Sequence, residues 1–193
     1  MAIKTFSSGE VLTASDTNTY LNNGGLVYIS EGSTSSSVIG LNFNNVFSST
    51  YSNYRIVIDY FRPVTASRFV ALQLRVGGVD TATNYSYTYR GLYQDGTSAD
   101  NFSGTPAVAF IDAGLFNSTN TFSFNSSVID IIAPNKTERT FFNVNSTLYN
   151  SQWGTRNGMG VHNADTSFTG FSLYTNSGNM TTLRCKIYGY RQA

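Results

Sequence analysis

The sequence predicts an all-β fold, an antiparallel β-sandwich. About ten short segments of strand-like pattern are separated by turn clusters rich in Gly, Asn and Pro, as in sandwiches and barrels. No helical period of useful length recurs after residue 25, which argues against an α/β fold. The abundance of Thr, Tyr, Phe and Val suits half-buried pleated surfaces.

Residues 1–25 differ from the rest and are expected to form an N-terminal arm. Thr13 to Asp16 resembles a capping box and predicts a short helix over 14–22. Asn22 to Gly25 is a strong stop, because Asn and Gly tolerate the left-handed conformation of a helix end. Two helical turns are not stable alone in water, so the arm must dock on another surface. Its expected anchoring residues are Phe6, Val11, Leu12 and Leu21.

Residues 26–193 are expected to form one β-sandwich domain, and two of its strands have the clearest pattern. Tyr54–Phe61 places Ile56 and Ile58 on one face, and Phe69–Val76 places its Val and Leu residues on one face, with a period of two. The other expected strands are Leu26–Ser30, Val38–Val46, Tyr85–Tyr93, Ala107–Asp112, Thr121–Ile132, Arg139–Tyr149, Phe168–Tyr174 and Thr182–Tyr190.

The composition indicates an uncharged, hydrogen-bonding surface. Ser, Thr and Asn make up 67 of the 193 residues, whereas 12 are basic and 11 acidic, for a net charge of +1. Such a weak field excludes nucleic acid and acidic membranes as electrostatic partners. No apolar run is long enough to span a bilayer, and the first residues lack the apolar core of a secretory signal. Sheet edges with little charge tend to pair with other chains, so we expect a homo-oligomer.

No catalytic residue, metal site or cofactor is predicted. With one cysteine, Cys185, and one histidine, His162, a single chain forms neither a disulfide nor a Cys/His zinc site. Cys185 is expected to face the core from the last strand. His162 is expected to be an ordinary loop or surface residue, because no Gly-x-Ser-x-Gly elbow accompanies it. The carboxylates are scattered, and solvation of a Gly/Ser loop explains Asp95 and Asp100.

A tyrosine stripe is the first candidate ligand-binding feature. Tyr85, Tyr87 and Tyr89 alternate and therefore share one face of a strand. One interpretation makes them sandwich core or a subunit contact; the other makes them a stacking platform for sugar rings. Nucleic acid fits this stripe poorly, because no basic residues cluster beside it.

The segment 149–165 is the second candidate. It holds the only Trp and the only His in a Gly-rich stretch that lacks a strand pattern, which predicts a long polar loop. Its expected ligand-binding residues are Trp153, Arg156, Asn157 and His162. The alternative is that Trp153 only plugs the end of the sandwich.

Several sequence blocks carry a resemblance to a known family. Residues 6–21 contain an aromatic residue, a Gly and then the pattern Leu-Thr-Ala-x-Asp-x-Asn-x-x-Leu. Further blocks are Gly25–Ile29, Phe47–Val57, Leu72–Gly78 and Leu183–Arg191. In these blocks the chain resembles bacteriophage tail-fibre and minor tail proteins.

The resemblance implies a jelly-roll-like sandwich joined to an N-terminal anchor, usually trimeric and often binding the host surface. It transfers no catalytic or ligand residue to a numbered position. Many relatives continue into long fibrous shafts, whereas here the predicted sandwich follows the arm at once. This departure favours a short fibre, a tail tip or a head-attached decoration.

The expected function is therefore that of a non-enzymatic virion protein. It would be a short tail fibre or tail-tip protein that contacts other virion proteins through residues 1–25 and helps to bind host-surface glycan. A capsid decoration, cement or head-fibre protein is the alternative, and a polysaccharide depolymerase is a third hypothesis. The expected location is the virion, after assembly in the host cytoplasm.

Overall fold

The computed structural model describes residues 7–11, 13, 25–65, 68–108, 111–117, 126–150 and 152–191. All regular structure in these ranges is β, and they contain no helix that could cross a membrane. The helix expected over 14–22 lies outside the described residues. In chain order the strands are β1 Leu26–Thr34, β2 Gly40–Phe43, β3 Asn53–Pro63, β4 Arg68–Val76, β5 Val79–Asp80, β6 Tyr85–Tyr93, β7 Ser98–Val108, β8 Ile111–Asn117, β9 Ser127–Ile132, β10 Thr140–Asn150, β11 Gln152–His162, β12 Gly170–Thr175 and β13 Met180–Tyr190.

The strands form antiparallel sheets in an arrangement consistent with a β-sandwich. The larger sheet has the order β1-β13-β3-β9-β10-β11-β6-β7. The smaller has the order β2-β12-β4-β8, with β5 paired to the end of β4. One parallel pair, Tyr149 with Asn117, joins β10 to β8, and the other pairings of the described strands are antiparallel. Gly77 and Gly78, both with positive φ, make the two-residue turn between β4 and β5.

Strand periodicity places an apolar stripe of each sheet in the interior. In β3, Tyr54, Ile56 and Ile58 are buried and alternate with partly exposed side chains, which confirms the predicted pattern. The register with β13 shifts between Ile58 and Tyr60, and Phe61 beyond the shift is buried too. Cys185 is also buried, as predicted, and burial raises the pKa of its thiol. Each buried aliphatic or aromatic side chain contributes about 1.5–3 kcal/mol. The matching stripe of the smaller sheet consists of Val70, Leu72, Leu74, Phe171 and Leu173.

Tyr85 links the two sheets. From β6 in the larger sheet, its hydroxyl accepts a hydrogen bond from the backbone N of Leu74 in β4, at 2.7 Å. Its ring contacts Phe142 of β10, with 6.5 Å between centroids. Burial raises the pKa of this phenol. The contact holds the β6–β11–β10 part of the larger sheet against the smaller one.

Residues 152–162 correct the prediction of a long polar loop. They form β11, which pairs with β10 on one side and with β6 on the other. Gly158 shows why glycines occur in this strand: a Cβ there would lie 2.6 Å from Tyr89 Cβ and 2.8 Å from the carbonyl oxygen of Thr88. The close approach of β6 therefore requires a residue without a side chain.

The strand predicted over 107–112 is also wrong. β7 ends at Val108, which pairs with Tyr85 of β6, whereas β8 begins at Ile111, which pairs with Leu72 of β4. The two halves of the predicted strand thus belong to different sheets. Which sheet each half joins depends on its pairing with a distant strand, and the local pattern of apolar residues carries no information about that pairing.

Candidate functional site

The alternation of β11 separates the predicted ligand-binding residues into two groups. Trp153 and Asn157 point away from the sandwich, whereas Arg156 and His162 point into it. Successive side chains of a strand lie on opposite faces, so these four residues do not form one site.

His162 belongs to the core, which corrects its expected place in a loop or on the surface. It is fully buried, and its ring lies edge-on to Tyr85 and Phe168, with 4.8 Å between centroids in each case. Nδ1 lies 3.3 Å from the carbonyl oxygen of Ala164. Burial lowers the pKa of the imidazole, because the charged form is poorly solvated there.

Arg156 is buried as well, with 2% of its surface exposed. Its guanidinium carbon lies 4.2 Å from the centroid of the Tyr89 ring, in a cation–π arrangement. The Ser146 hydroxyl donates a hydrogen bond to the backbone carbonyl of Arg156 at 3.3 Å. These contacts hold the inner side of β11 against its neighbours.

The tyrosine stripe also faces inward. Tyr85 and Tyr87 are buried, and Tyr89 is half-buried beneath Arg156. The rings of Tyr87 and Tyr89 stack, with 5.9 Å between centroids and 9° between planes. Tyr85 and Tyr87 therefore lie in the core, although Tyr87 also lines one end of a groove described below.

The opposite side of these strands, which we call the outer face, is open to solvent. Arg90 carries the only charge among the described side chains that β6, β10 and β11 place there. The rest are amides, hydroxyls, aliphatic groups and aromatic rings. The outer-face residues of β10 and β11 are Phe141, Asn143, Asn145, Thr147, Tyr149, Trp153, Thr155, Asn157, Met159 and Val161.

One end of the outer face forms an aromatic groove, the Trp153 groove, of about 390 Å³. Trp153 is 46% exposed, and Tyr149 packs against it with 4.9 Å between ring centroids. Leu92, Thr147 and Thr155 line the groove beside it. This volume lies near the lower limit of ordinary small-ligand sites.

The turn from β6 to β7 borders the Trp153 groove. The backbone N of Gln94, a groove residue, donates to the carbonyl oxygen of Trp153 at 2.8 Å. The next residue, Asp95, accepts hydrogen bonds from Thr97 Oγ1 at 2.6 Å and Thr97 N at 2.9 Å. The hydrogen bonds from Thr97 lower the pKa of Asp95, and a hydrogen bond from the Gln152 side chain lowers it by a smaller amount. Asp95 is thus an ordered anion beside the groove.

The other end of the outer face forms an apolar groove of about 530 Å³. Phe141 and Met159 are 50% and 60% exposed, and Ile132 of β9 adjoins them. Sequence analysis overlooked these residues. One signal was available: adjacent phenylalanines at 141 and 142 must point to opposite faces, so a sheet that covers one core leaves one of them exposed.

The remaining predicted residues divide between the described and undescribed parts of the chain. Val11 is 78% exposed. Phe6, Leu12 and Leu21 lie outside the described residues. In the described ranges, no three His, Cys, Asp or Glu side chains are grouped as metal ligands.

Three further described carboxylates have cationic partners, and one of them, Asp130, lies on β9 opposite the outer-face residue Asn143. Asp130 binds Arg55 through two hydrogen bonds of 2.8 Å, and Asp59 lies 3.0 Å from Arg184. Asp80 lies 2.6 Å from Arg75. Partial burial alone would raise the pKa of Asp130, but its bonds from Arg55 and Tyr190 outweigh that effect and lower it.

Comparisons with known proteins do not place the chain in a family. No protein-family model matches it, and no curated protein matches it. Among solved structures, an alignment with the CspB protease of Clostridium perfringens covers 88% of this chain and 26% of the protease. Sequence identity is 7% and the TM-score is 0.23, so this likeness supports no conclusion about fold or function.

Proposed function

We propose that the chain is a non-enzymatic structural protein of a bacteriophage virion, a short tail fibre or tail-tip protein that helps to bind host-surface glycan. The observation that carries the proposal is the outer face of β6, β10 and β11. It presents Trp153 and Tyr149 together with amide and hydroxyl side chains and a single charge. Such groups bind neutral sugars through ring stacking and hydrogen bonds.

The proposed setting follows from the sequence blocks that resemble phage tail proteins. Residues 1–25 would fasten each copy to the virion, and the sandwich, jelly-roll-like in this proposal, would project outward. Val11, which is largely exposed, is available for such a contact. Three copies per assembly are proposed on the same resemblance.

A second candidate function is supported by the apolar groove. Phe141, Met159 and Ile132 suit burial against another protein better than contact with a sugar. A capsid decoration, cement or head-fibre protein would use such a surface to clamp its neighbours. Virions that lack it should then break open on osmotic shock while they still adsorb normally.

A depolymerase is the weaker enzymatic alternative. Glycoside hydrolysis ordinarily requires two carboxylates in one cleft. Asp59, Asp80 and Asp130 are instead each held by a basic residue. Shortening of host polysaccharide by the purified protein would support the enzymatic function and overturn the structural one.

The direct test is to locate the protein. Antibodies raised against it should label purified virions at the tail, as seen by immunogold electron microscopy. Labelling of the head would support the decoration function instead, and absence of the protein from virions would overturn both.

The anchor is tested by deleting residues 1–24, which leaves the thirteen strands of the described ranges and the Gly25 carbonyl that accepts from Arg191 N. The truncated protein should fold but be missing from virions. Normal incorporation would contradict the anchor assignment.

A further inference from the structure

The Trp153 side chain is positioned by its neighbours while much of its ring remains exposed to a ligand. Tyr149 packs against it at 56° between ring planes, from the directly opposite position on β10. The backbone carbonyl of Trp153 is fixed by Gln94 N. Nearly half of the side chain nevertheless remains exposed. A ring already positioned in this way loses little conformational freedom on binding.

The rim of the groove is polar without being charged. Gln94 provides an amide, and Thr147 and Thr155 provide hydroxyls. Thr147 Oγ1 already accepts from Ser126 N at 3.0 Å, so Gln94 and Thr155 are better placed to exchange bonds with a ligand. An aromatic plate with neutral donors and acceptors at its edge suits a sugar ring, which has an apolar C–H face and a hydroxyl perimeter.

The charged side chains near the Trp153 groove bear on whether a neutral or a charged sugar binds there. Asp95 follows Gln94 directly, and Thr97 and Gln152 hold its carboxylate in place. Arg90 lies on the same face two residues before Leu92, a groove residue, so the two charges near the groove are of opposite sign. Surroundings without net charge suit a neutral sugar better than a charged one.

We infer that the Trp153 groove is a subsite for one neutral pyranose ring, stacked on Trp153 and bounded by Leu92, Gln94 and Thr155. The inference rests on the proposed glycan-binding function and specifies its ligand class.

The chain's composition gives this site a selective probe. Trp153 is the only tryptophan, so tryptophan fluorescence reports on the groove alone. The purified protein is titrated with the methyl pyranosides of glucose, galactose and mannose, and with glucuronate and N-acetylneuraminate. A saturable change is expected with at least one neutral sugar, with a Kd on the order of 1–10 mM for a single ring. The inference is overturned if no neutral sugar gives one, or if an acidic sugar binds more tightly than every neutral sugar.

Two variants locate the binding. Trp153→Ala should weaken the sugar's affinity about tenfold or more, measured by calorimetry. Tyr28→Ala, which removes a comparably exposed ring from β1, outside both grooves, should leave the affinity unchanged. Trp153→Tyr should restore part of it, because it keeps an aromatic plate. Retained affinity in Trp153→Ala, with its thermal midpoint unchanged, would overturn the assignment.

Failure of the sugar-binding inference can be distinguished from failure of the proposed virion function. Sugar binding by a protein that antibodies do not find on virions would leave the subsite intact and remove the virion function. If antibodies label virions but the protein binds no neutral sugar, the virion function stands and the subsite is refuted. That outcome favours the decoration function.

Discussion

The two sides of β11 have different surroundings although their residues alternate along one strand. On the inner side, His162 and Arg156 are buried against tyrosine rings of β6. On the outer side, Trp153 and Met159 are exposed beside neutral polar groups. The inner side holds the sheets together, and we propose that the outer side binds partners. Substitutions at neighbouring positions should therefore have unlike effects.

The largest difference is expected between Phe142 and Phe141. Phe142 is 1% exposed and faces Tyr85, whereas Phe141 is 50% exposed on the outer face. Phe142→Ala should lower the free energy of unfolding by about 3–5 kcal/mol, because it leaves a cavity in the core. Phe141→Ala should change it by only about 0.5 kcal/mol. Urea unfolding measures both, and equal losses would contradict the assignment of the two faces.

A smaller effect is expected when the link between the sheets is cut. Tyr85→Phe removes the oxygen that accepts from Leu74 N and leaves a buried donor without its partner. The expected loss of unfolding free energy is about 1–3 kcal/mol. Tyr28→Phe is the matched control, since Tyr28 is largely exposed. The role of the link would be refuted if both variants were as stable as the parent chain.

Part of this organisation could be predicted from the sequence. β6 was predicted at its observed bounds, and alternation of apolar side chains predicts the buried face of β3 up to Ile58. In β4 both faces are buried from Val70 to Arg75 and Val76 is exposed, which alternation did not predict. β11 was missed because its glycines suggest a loop. Gly158 is needed there because β6 approaches closely, and this constraint depends on a distant segment. Local patterns do not report such tertiary contacts.

The candidate site was predicted in composition but not in arrangement. Trp153 and Asn157 are exposed, and their role in ligand binding stays a prediction. Arg156 and His162 were grouped with them because a loop was assumed, and a loop imposes no alternation of faces. Tyr149, Thr155 and Gln94 join Trp153 only through pairing between strands or across the β6 end.

A pH-dependent effect should distinguish the buried histidine from an exposed one. Burial lowers the pKa of His162 in the folded protein relative to the unfolded chain. The unfolded chain therefore binds the proton more readily, so stability is full above about pH 6.5 and falls as the pH drops below it. The slope contributed by one proton is at most about 1.4 kcal/mol per pH unit.

His162→Phe keeps a ring between Tyr85 and Phe168 but removes the titration. Urea unfolding of both proteins from about pH 7 to about pH 5 should show a steeper loss in the parent chain. Parallel curves would show that His162 does not titrate from a buried state.

Trp153→Ala is expected to have the smallest effect on stability and the largest effect on ligand binding. Because its side chain is exposed on the outer face, Trp153→Ala should change the unfolding free energy by no more than about 1 kcal/mol. The oligomer should also stay intact. Dissociation of the oligomer would show instead that Trp153 packs between copies.

The most direct test of the outer face is the adsorption rate of virions that carry Trp153→Ala. At normal incorporation of the variant, adsorption to host cells should fall about tenfold or more, as for loss of a central aromatic contact. Virions with Tyr28→Ala, which removes an exposed ring from β1 outside both grooves, serve as the control and should adsorb at the parental rate. Adsorption that is unchanged in Trp153→Ala would contradict the assignment of this face to host-surface glycan.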